Sequence, residues 1–396
     1  MIEKPHAKAL ASTVWHKREQ TLLLGCGNCP DRPICGGLQI RASIMSCQDF
    51  CCGTPNTCTI VCPKSPDFPR RVHEVQGFSL MHIEKRGPLS FPKSPNVLPL
   101  IYRSLPLLRP VPASIVAIPF SEAYWRRGKY AMPHARTALN AKFRLAPDTK
   151  LVLSGVENDR RVEKWWGSHG KEDVLGAIRE MDILFATVPN FSSAADVPRH
   201  ANMHGLKRIA LVWTQLHDAS IPAAVHANCR TDRDFARFGE FLKFHDEIEA
   251  LAFEYTTGTA NAECGEYFTS LLCELADQLA RPMTLVLRGG VRWIAKLSRH
   301  YTSVVMLDTS ACMRTINRKR AVFEPGRKLR WRKNPTKKGE PLDELLAHNL
   351  EVVAASSSDY GVDECATPQR IGVLPGNKRL KRQLETNDES LLGSFL

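Results

Sequence analysis

The chain has 396 residues, room for two or three domains, and at 43% hydrophobic and 24% charged it has the balance of a water-soluble globular protein. No apolar run reaches the length of a bilayer-spanning helix, and the opening MIEKPHAKALAS has no apolar signal core, so a cytoplasmic location is predicted. A formal net charge of +13 favours a polyanionic partner, most simply DNA or RNA.

Residues 1–25 read as a short helical lead-in, with Ala7, Leu10, Val14 and Trp15 as its buried positions. Eight of the 13 cysteines follow, between positions 26 and 62: Cys26, Cys29, Cys35, Cys47, Cys51, Cys52, Cys58 and Cys62. Gly, Pro, Asn and Asp fill the gaps between them, so the stretch is mostly turn and needs a cross-link to hold its shape. Disulfides require an oxidising compartment, which the predicted location does not offer. Zinc fits Cys26-x2-Cys29 as a half-site. An iron–sulfur cluster fits the same pair together with the Cys58-x3-Cys62-Pro63 ending, although the ferredoxin spacing breaks between Cys29 and Cys35. A metal module over residues 1–90 is therefore expected, with an iron–sulfur cluster slightly ahead of zinc.

Residues 85–112 carry seven prolines, and also Leu98, Leu100, Ile101, Leu105, Leu107 and Leu108. They read as an extended connector packed on the next domain. From Ser114 the pattern changes. Short, continuously apolar runs recur as SIVAIPF, KLVLSGV, DILFATV, RIALVWT, IEALAFEY, MTLVLRG and SVVMLDT, separated by helical patterns such as KEDVLGAIREM and FTSLLCELADQLA. Strands that are apolar on both faces and alternate with helices form parallel sheets. No G-x-G-x-x-G follows the first strand and no P-loop occurs, so a TIM-like (β/α)8 barrel over residues 91–312 is preferred to an open doubly wound sheet. An eighth strand is expected at 76–80 or at 351–354. A basic segment and helix fill 313–350, and 351–396 form a partly disordered tail.

Working residues in such barrels lie at the C-terminal ends of the strands. The strand list nominates Glu157, Asn158 and Asp159; Asn190 and Ser192; Trp213, Gln215, His217 and Asp218; Glu254; Arg288; and Asp308. Glu254 and Asp308 lead, because a carboxylate ending an apolar strand is expensive to bury unpaired. Facing one cavity, they could serve as nucleophile and general acid/base; alternatively each pairs with an arginine or caps the next helix. Arg288, Gly289 and Gly290 before a helix suit an anion, though such glycines also serve plain turns. Between positions 314 and 338 the residues Arg314, Arg318, Lys319, Arg320, Arg327, Lys328, Arg330, Arg332 and Lys333 surround Trp331, a phosphate-binding surface with a stacking ring.

The segment ATVPNFS at 186–192, with Asp196, Val197, Pro198 and then Trp213, resembles a family of predicted barrels in phages and mobile elements. RGGVRW followed by VVMLDTSACMRTINRKRA resembles the end of the barrel in the tRNA-guanine transglycosylase superfamily, which includes relatives that insert 7-deazaguanine bases into DNA. The likeness covers roughly residues 113–320. It implies base exchange through strand-end aspartates and a covalent intermediate, with Asp308 in the best-matching stretch. The superfamily's zinc cysteines follow the barrel, whereas the cluster here precedes it. Two functions are expected: a base-exchanging or base-modifying enzyme on DNA or RNA, or a non-catalytic nucleic-acid-binding subunit of a phage-related or defence-type complex with protein partners.

Overall fold

The computed structural model describes residues 21–22, 39–40, 70–71, 74–102, 105–193, 199–256, 262–324, 328–337 and 339–358, to which every structural statement refers. Eight strands make one parallel sheet: β1 (Val97–Pro99), β2 (Ile115–Pro119), β3 (Lys150–Ser154), β4 (Ile183–Thr187), β5 (Ala223–His226), β6 (Ala250–Glu254), β7 (Thr284–Arg288) and β8 (Ser303–Asp308). From β2 to β8 each strand pairs with the next, and β8 pairs back onto β1 through Met306–Val97, Leu307–Leu98 and Asp308–Pro99. The seam between β1 and β2 is held by the parallel bridge Leu100–Ala117 and by Ile101 N–H donating to the Ala117 carbonyl at 2.9 Å. The result is a nearly closed eight-stranded parallel barrel, consistent with a TIM-like fold.

Alternation along the strands sorts the core into two shells. Leu98, Leu100, Ala117, Val152, Phe185, Ala252, Val286, Val305 and Leu307 pack together inside the barrel. Their neighbours, such as Val116, Leu151, Val225, Leu251, Leu285 and Met306, pack outward against the helices. Each Leu or Val so buried contributes on the order of 1.5–3 kcal/mol.

The helices are α1 (Arg136–Phe143), α2 (Asp159–Trp166), α3 (Lys171–Arg179), α4 (Arg199–Asp218), α5 (Asp232–Phe244), α6 (Ala262–Leu279), α7 (Ile294–Leu297), α8 (Ser310–Ile316) and α9 (Asp343–Ser358). Local chemistry sets their starts. Asn158 accepts from the Arg160 N–H at the head of α2, and Thr231 with Asp234 forms a reciprocal capping box at the head of α5. Two antiparallel ribbons are added. Tyr124–Arg127 pairs with Tyr130–Pro133 between β2 and α1, and Lys319–Val322 pairs with Arg330–Lys333 between α8 and α9.

Six of the seven expected strand runs are strands. The exception is RIALVWT, which lies inside the 20-residue helix α4. Met203, Leu206, Ile209, Ala210, Trp213 and Leu216 recur at helical spacing there and are all buried. The strand that takes its place is β5, after Pro222. The eighth strand is neither 76–80 nor 351–354. It is β1, within the proline-rich connector, and 351–354 belong to α9, which runs through the boundary expected at 350. Among the described residues no helix is long and apolar enough to cross a membrane.

Candidate functional site

The inward-facing parity of the strands continues past the apolar interior to their C-terminal ends, and there it becomes polar. Above Leu100, Val152, Phe185, Ala224, Ala252 and Val286 stand Tyr102, Ser154, Thr187, His226, Glu254 and Arg288. Glu254 and Arg288 are direct register partners across β6 and β7, and His226 is opposite Ala252, one inward position below Glu254. This ring is the barrel mouth.

Several of its polar atoms are buried with no hydrogen-bond partner among the described residues: Tyr102 Oη, Ser154 Oγ, Asn190 Oδ1, His226 Nε2 and Arg288 Nε. A buried polar group without a partner costs about 1–3 kcal/mol. Groups of this kind are satisfied by ordered water or by a ligand, and five of them gather at this end of the barrel. A cavity of about 40 Å³, lined by Asn190, Ser193, His226, Asn228, Arg230 and Glu254 among others, opens at the ends of β4, β5 and β6.

The loops around this cavity are tied to one another. Arg230, after β5, donates from Nη2 to the Ser193 carbonyl at 2.7 Å and from Nε to Ser193 Oγ at 2.8 Å. Ser193 Oγ also bonds Asn228 Oδ1 at 2.8 Å, and Asn228 Nδ2 donates to the Phe191 carbonyl at 2.6 Å. Burial lowers the Arg230 pKa, and Glu254 opposes that effect. Arg288 donates from Nη1 to the Val156 carbonyl at 2.9 Å and lies 5.2 Å from the Tyr102 ring centre. Burial, aided by the Arg288 charge, brings the His226 pKa down to about 3, so its imidazole is neutral at physiological pH. Burial likewise pushes the Tyr102 phenol up to about 12, against the pull of Arg288 and helped by Glu157 and Glu254. Glu157, just beyond β3, accepts from Ser121 N–H at 2.8 Å and is also bonded to Ser121 Oγ and Arg161; burial raises its pKa. The mouth thus offers a carboxylate at Glu254, a second and more buried carboxyl at Glu157, a neutral imidazole, and two guanidiniums.

The expected site residues divide. Glu254 stands in the mouth and accepts from Thr256 Oγ1. Asp308 does not join it. Its parity is that of Val304 and Met306, which face the helices, and it lines a separate cavity of about 280 Å³ beside Val353 and beside Val97 and Leu350 of the outer layer. Its carboxylate accepts from Ser310 N–H at 3.0 Å, Ser310 Oγ at 2.7 Å and Ala311 N–H at 2.9 Å, so it caps α8. Arg288 is in the ring, whereas Gly289 and Gly290 form a turn at φ +76° and +73°. A side chain at Gly290 would meet the Tyr255 ring at 2.2 Å, so this glycine serves close packing. Trp213, Gln215, His217 and Asp218 follow no strand; they ride on α4.

The basic segment folds into the ribbon between α8 and α9. Ala321 packs inward, with its N–H held by Asn349 Oδ1 at 2.8 Å. The opposite face carries Arg320 directly across from Arg332, with Arg330 beside them, all exposed. Arg320 donates to His348 Nδ1 at 3.0 Å, Arg314 lies 5.8 Å from the Trp331 ring centre, and Lys328 and Lys333 are exposed. Lys319 is half-buried, and Arg318 donates to the Ile316 carbonyl. Arg327 lies outside the described residues, as do all eight cysteines between 26 and 62. The two-residue strands Thr21–Leu22 and Gln39–Ile40, which pair antiparallel, flank Cys26, Cys29 and Cys35 in the sequence. Among the described residues no group of three or more His, Cys, Asp or Glu could hold a metal ion.

No protein-family model matches the chain, and no curated protein matches its sequence.

Reading strand ends alone missed Tyr102, His226 and Arg230. The strand lies at Ala223–His226 and not in RIALVWT, so the ends of the apolar runs do not include His226 or Arg230. The polar series His226, Asn228, Arg230 at alternate positions after Pro222 was the available signal.

Proposed function

We propose that the protein is a nucleic-acid-associated enzyme whose reaction takes place at the barrel mouth, with base exchange or base modification on DNA or RNA as the chemistry. The observation that supports this most is the convergence of buried, unpartnered polar atoms with Glu254, Arg288 and Arg230 at the end of the barrel where working residues collect. A scaffold barrel needs no such ring and can leave its mouth plugged with apolar side chains. In an exchange, one glycosidic C–N bond breaks and another forms, and a proton moves to the departing base and from the incoming one. Glu254 is the group assigned to that proton traffic, with Arg288 and Arg230 placed to hold an anionic or carbonyl-bearing ligand. The arginine face of the ribbon supplies the polyanion contact. The cysteines between 26 and 62 are assigned an iron–sulfur cluster or zinc, and no step of the reaction is routed through it.

The test is incorporation of radiolabelled guanine or a 7-deazaguanine base into DNA and into RNA. Incorporation by the wild type that is lost in Glu254→Gln at unchanged melting temperature is the expected result. Undiminished incorporation by Glu254→Gln would remove the mouth from the mechanism.

A second reading, a non-catalytic nucleic-acid-binding subunit, draws on the ribbon alone, because Arg320, Arg330 and Arg332 stand on a face that owes nothing to the mouth. It expects binding with no incorporation by any form of the protein.

A further inference from the structure

The ribbon Tyr124–Arg127/Tyr130–Pro133 leaves the barrel just beyond the C-terminal end of β2, on the rim of the mouth. Its turn is two residues, with Gly128 at φ +62° in the position where tight hairpins need a left-handed residue. Its two faces differ sharply. On the inner face Tyr124 packs edge-on against Phe120 and Trp165, with ring centres at 6.5 and 4.9 Å, and Ala131 is buried. On the outer face Trp125 is opposite Met132, and Arg127 is opposite Tyr130. Trp125 is 44% exposed and Tyr130 62% exposed. Among the described residues five large hydrophobic side chains are exposed, and this one short ribbon carries two of them.

Aromatic surface left in water needs a reason, and here the charge around it supplies one. Arg127 and Lys129 are exposed at the turn, and neither has an ion-pair partner among the described residues. The nearby acids Glu122 and Glu157 are already engaged by Lys142, Arg161 and Ser121. The ribbon is anchored: Ala131 N–H donates to the His169 carbonyl and His169 N–H to the Lys129 carbonyl, both at 2.9 Å, so the outer face is held at a fixed angle to the rim.

We infer that this outer face is a stacking platform for single-stranded nucleic acid. Trp125 and Tyr130 take the flat faces of bases, and Arg127 and Lys129 take the adjoining phosphates. A duplex hides those base faces, so the platform selects an unpaired segment, in position to hold the strand beside a base presented to the mouth. The inference rests on the reading above that the partner is a nucleic acid, and it adds which strand state is bound and where.

The experiment is fluorescence anisotropy with a labelled single strand of about 15 nucleotides, the size of a single-strand site, and with a duplex of the same length, each over a range of salt. The wild-type chain is compared with Trp125→Ala/Tyr130→Ala and with Arg127→Gln/Lys129→Gln, folding being checked by circular dichroism. Both aromatic side chains are exposed, so their loss leaves the core intact. The aromatic variant should lose roughly ten-fold or more in single-strand affinity while keeping its duplex affinity and its salt slope, since no charge has changed. The charge variant should lower the single-strand salt slope by about 1.4. Wild-type-like single-strand binding by the aromatic variant overturns the platform while leaving a nucleic-acid role elsewhere on the chain. Wild-type protein that binds neither probe overturns the nucleic-acid reading itself, and the platform with it.

Discussion

His226 illustrates how one buried side chain ties the site to pH. Its pKa, held near 3 by burial and by Arg288, is far below the 6.5 of an exposed histidine. The folded state therefore refuses a proton that the unfolded chain accepts. Its stability contribution is complete above about pH 6.5 and is lost as pH falls from there toward 3. His204, which burial and the Arg208 charge lower to about 4 against the pull of Glu74 at 2.9 Å, acts in the same direction. Urea midpoints measured between pH 7.5 and 4.5 should fall steadily, and His226→Gln should flatten part of that slope. A profile unaffected by the substitution would mean that His226 is protonated in the fold. Asp308 belongs to stability as well: Asp308→Ala should cost about 1 kcal/mol through the freed N–H groups at the head of α8, a typical loss for a helix cap. Glu254 and Asp308 were equally readable from sequence as carboxylates that end apolar runs. The inward or outward sense of Asp308 was not readable, since one position of parity decides it and only the sheet reveals which positions face in.

At the scale of elements, the strands that were legible are those with β-branched or long apolar runs and a turn at each end. RIALVWT has the same composition as a strand, but no Gly or Pro interrupts the chain between Leu206 and Pro222, and that uninterrupted length was the cue for a helix. AAVH of β5 and VLP of β1 were invisible for the opposite reason: they are short, and alanine and proline are poor strand residues. The turn after β7 makes a sharp prediction. Gly290→Ala places a methyl group against the Tyr255 ring and forces a left-handed backbone on alanine, so it should destabilise by roughly 1–3 kcal/mol. Arg332 makes a contrary one. Like charges directly opposite one another in a ribbon repel, so Arg332→Gln should leave thermal stability unchanged or raise it by a few tenths of a kcal/mol, while weakening polyanion binding and lowering its salt slope by about 1.

Over the whole molecule, a metal on the cysteines between 26 and 62 would be remote in sequence from every residue of the mouth. Anaerobic purification with metal analysis should give iron with labile sulfide, or stoichiometric zinc. Stripping that metal with a chelator should leave the near-ultraviolet circular dichroism of the barrel aromatics in place. A collapse of that signal would show that the barrel depends on the metal. The way the barrel closes also bears on how the protein is made. β1 finds its partner on β8 roughly two hundred residues later in the chain. At about 5–20 residues per second, a ribosome needs on the order of 10–40 s to deliver that partner. Throughout that interval Leu98 and Leu100, later sealed inside, stand on a strand with one open edge. The nascent chain is then at its most sticky, and slowed translation between β1 and β8 should lower the yield of folded protein before any change in the finished fold could be detected.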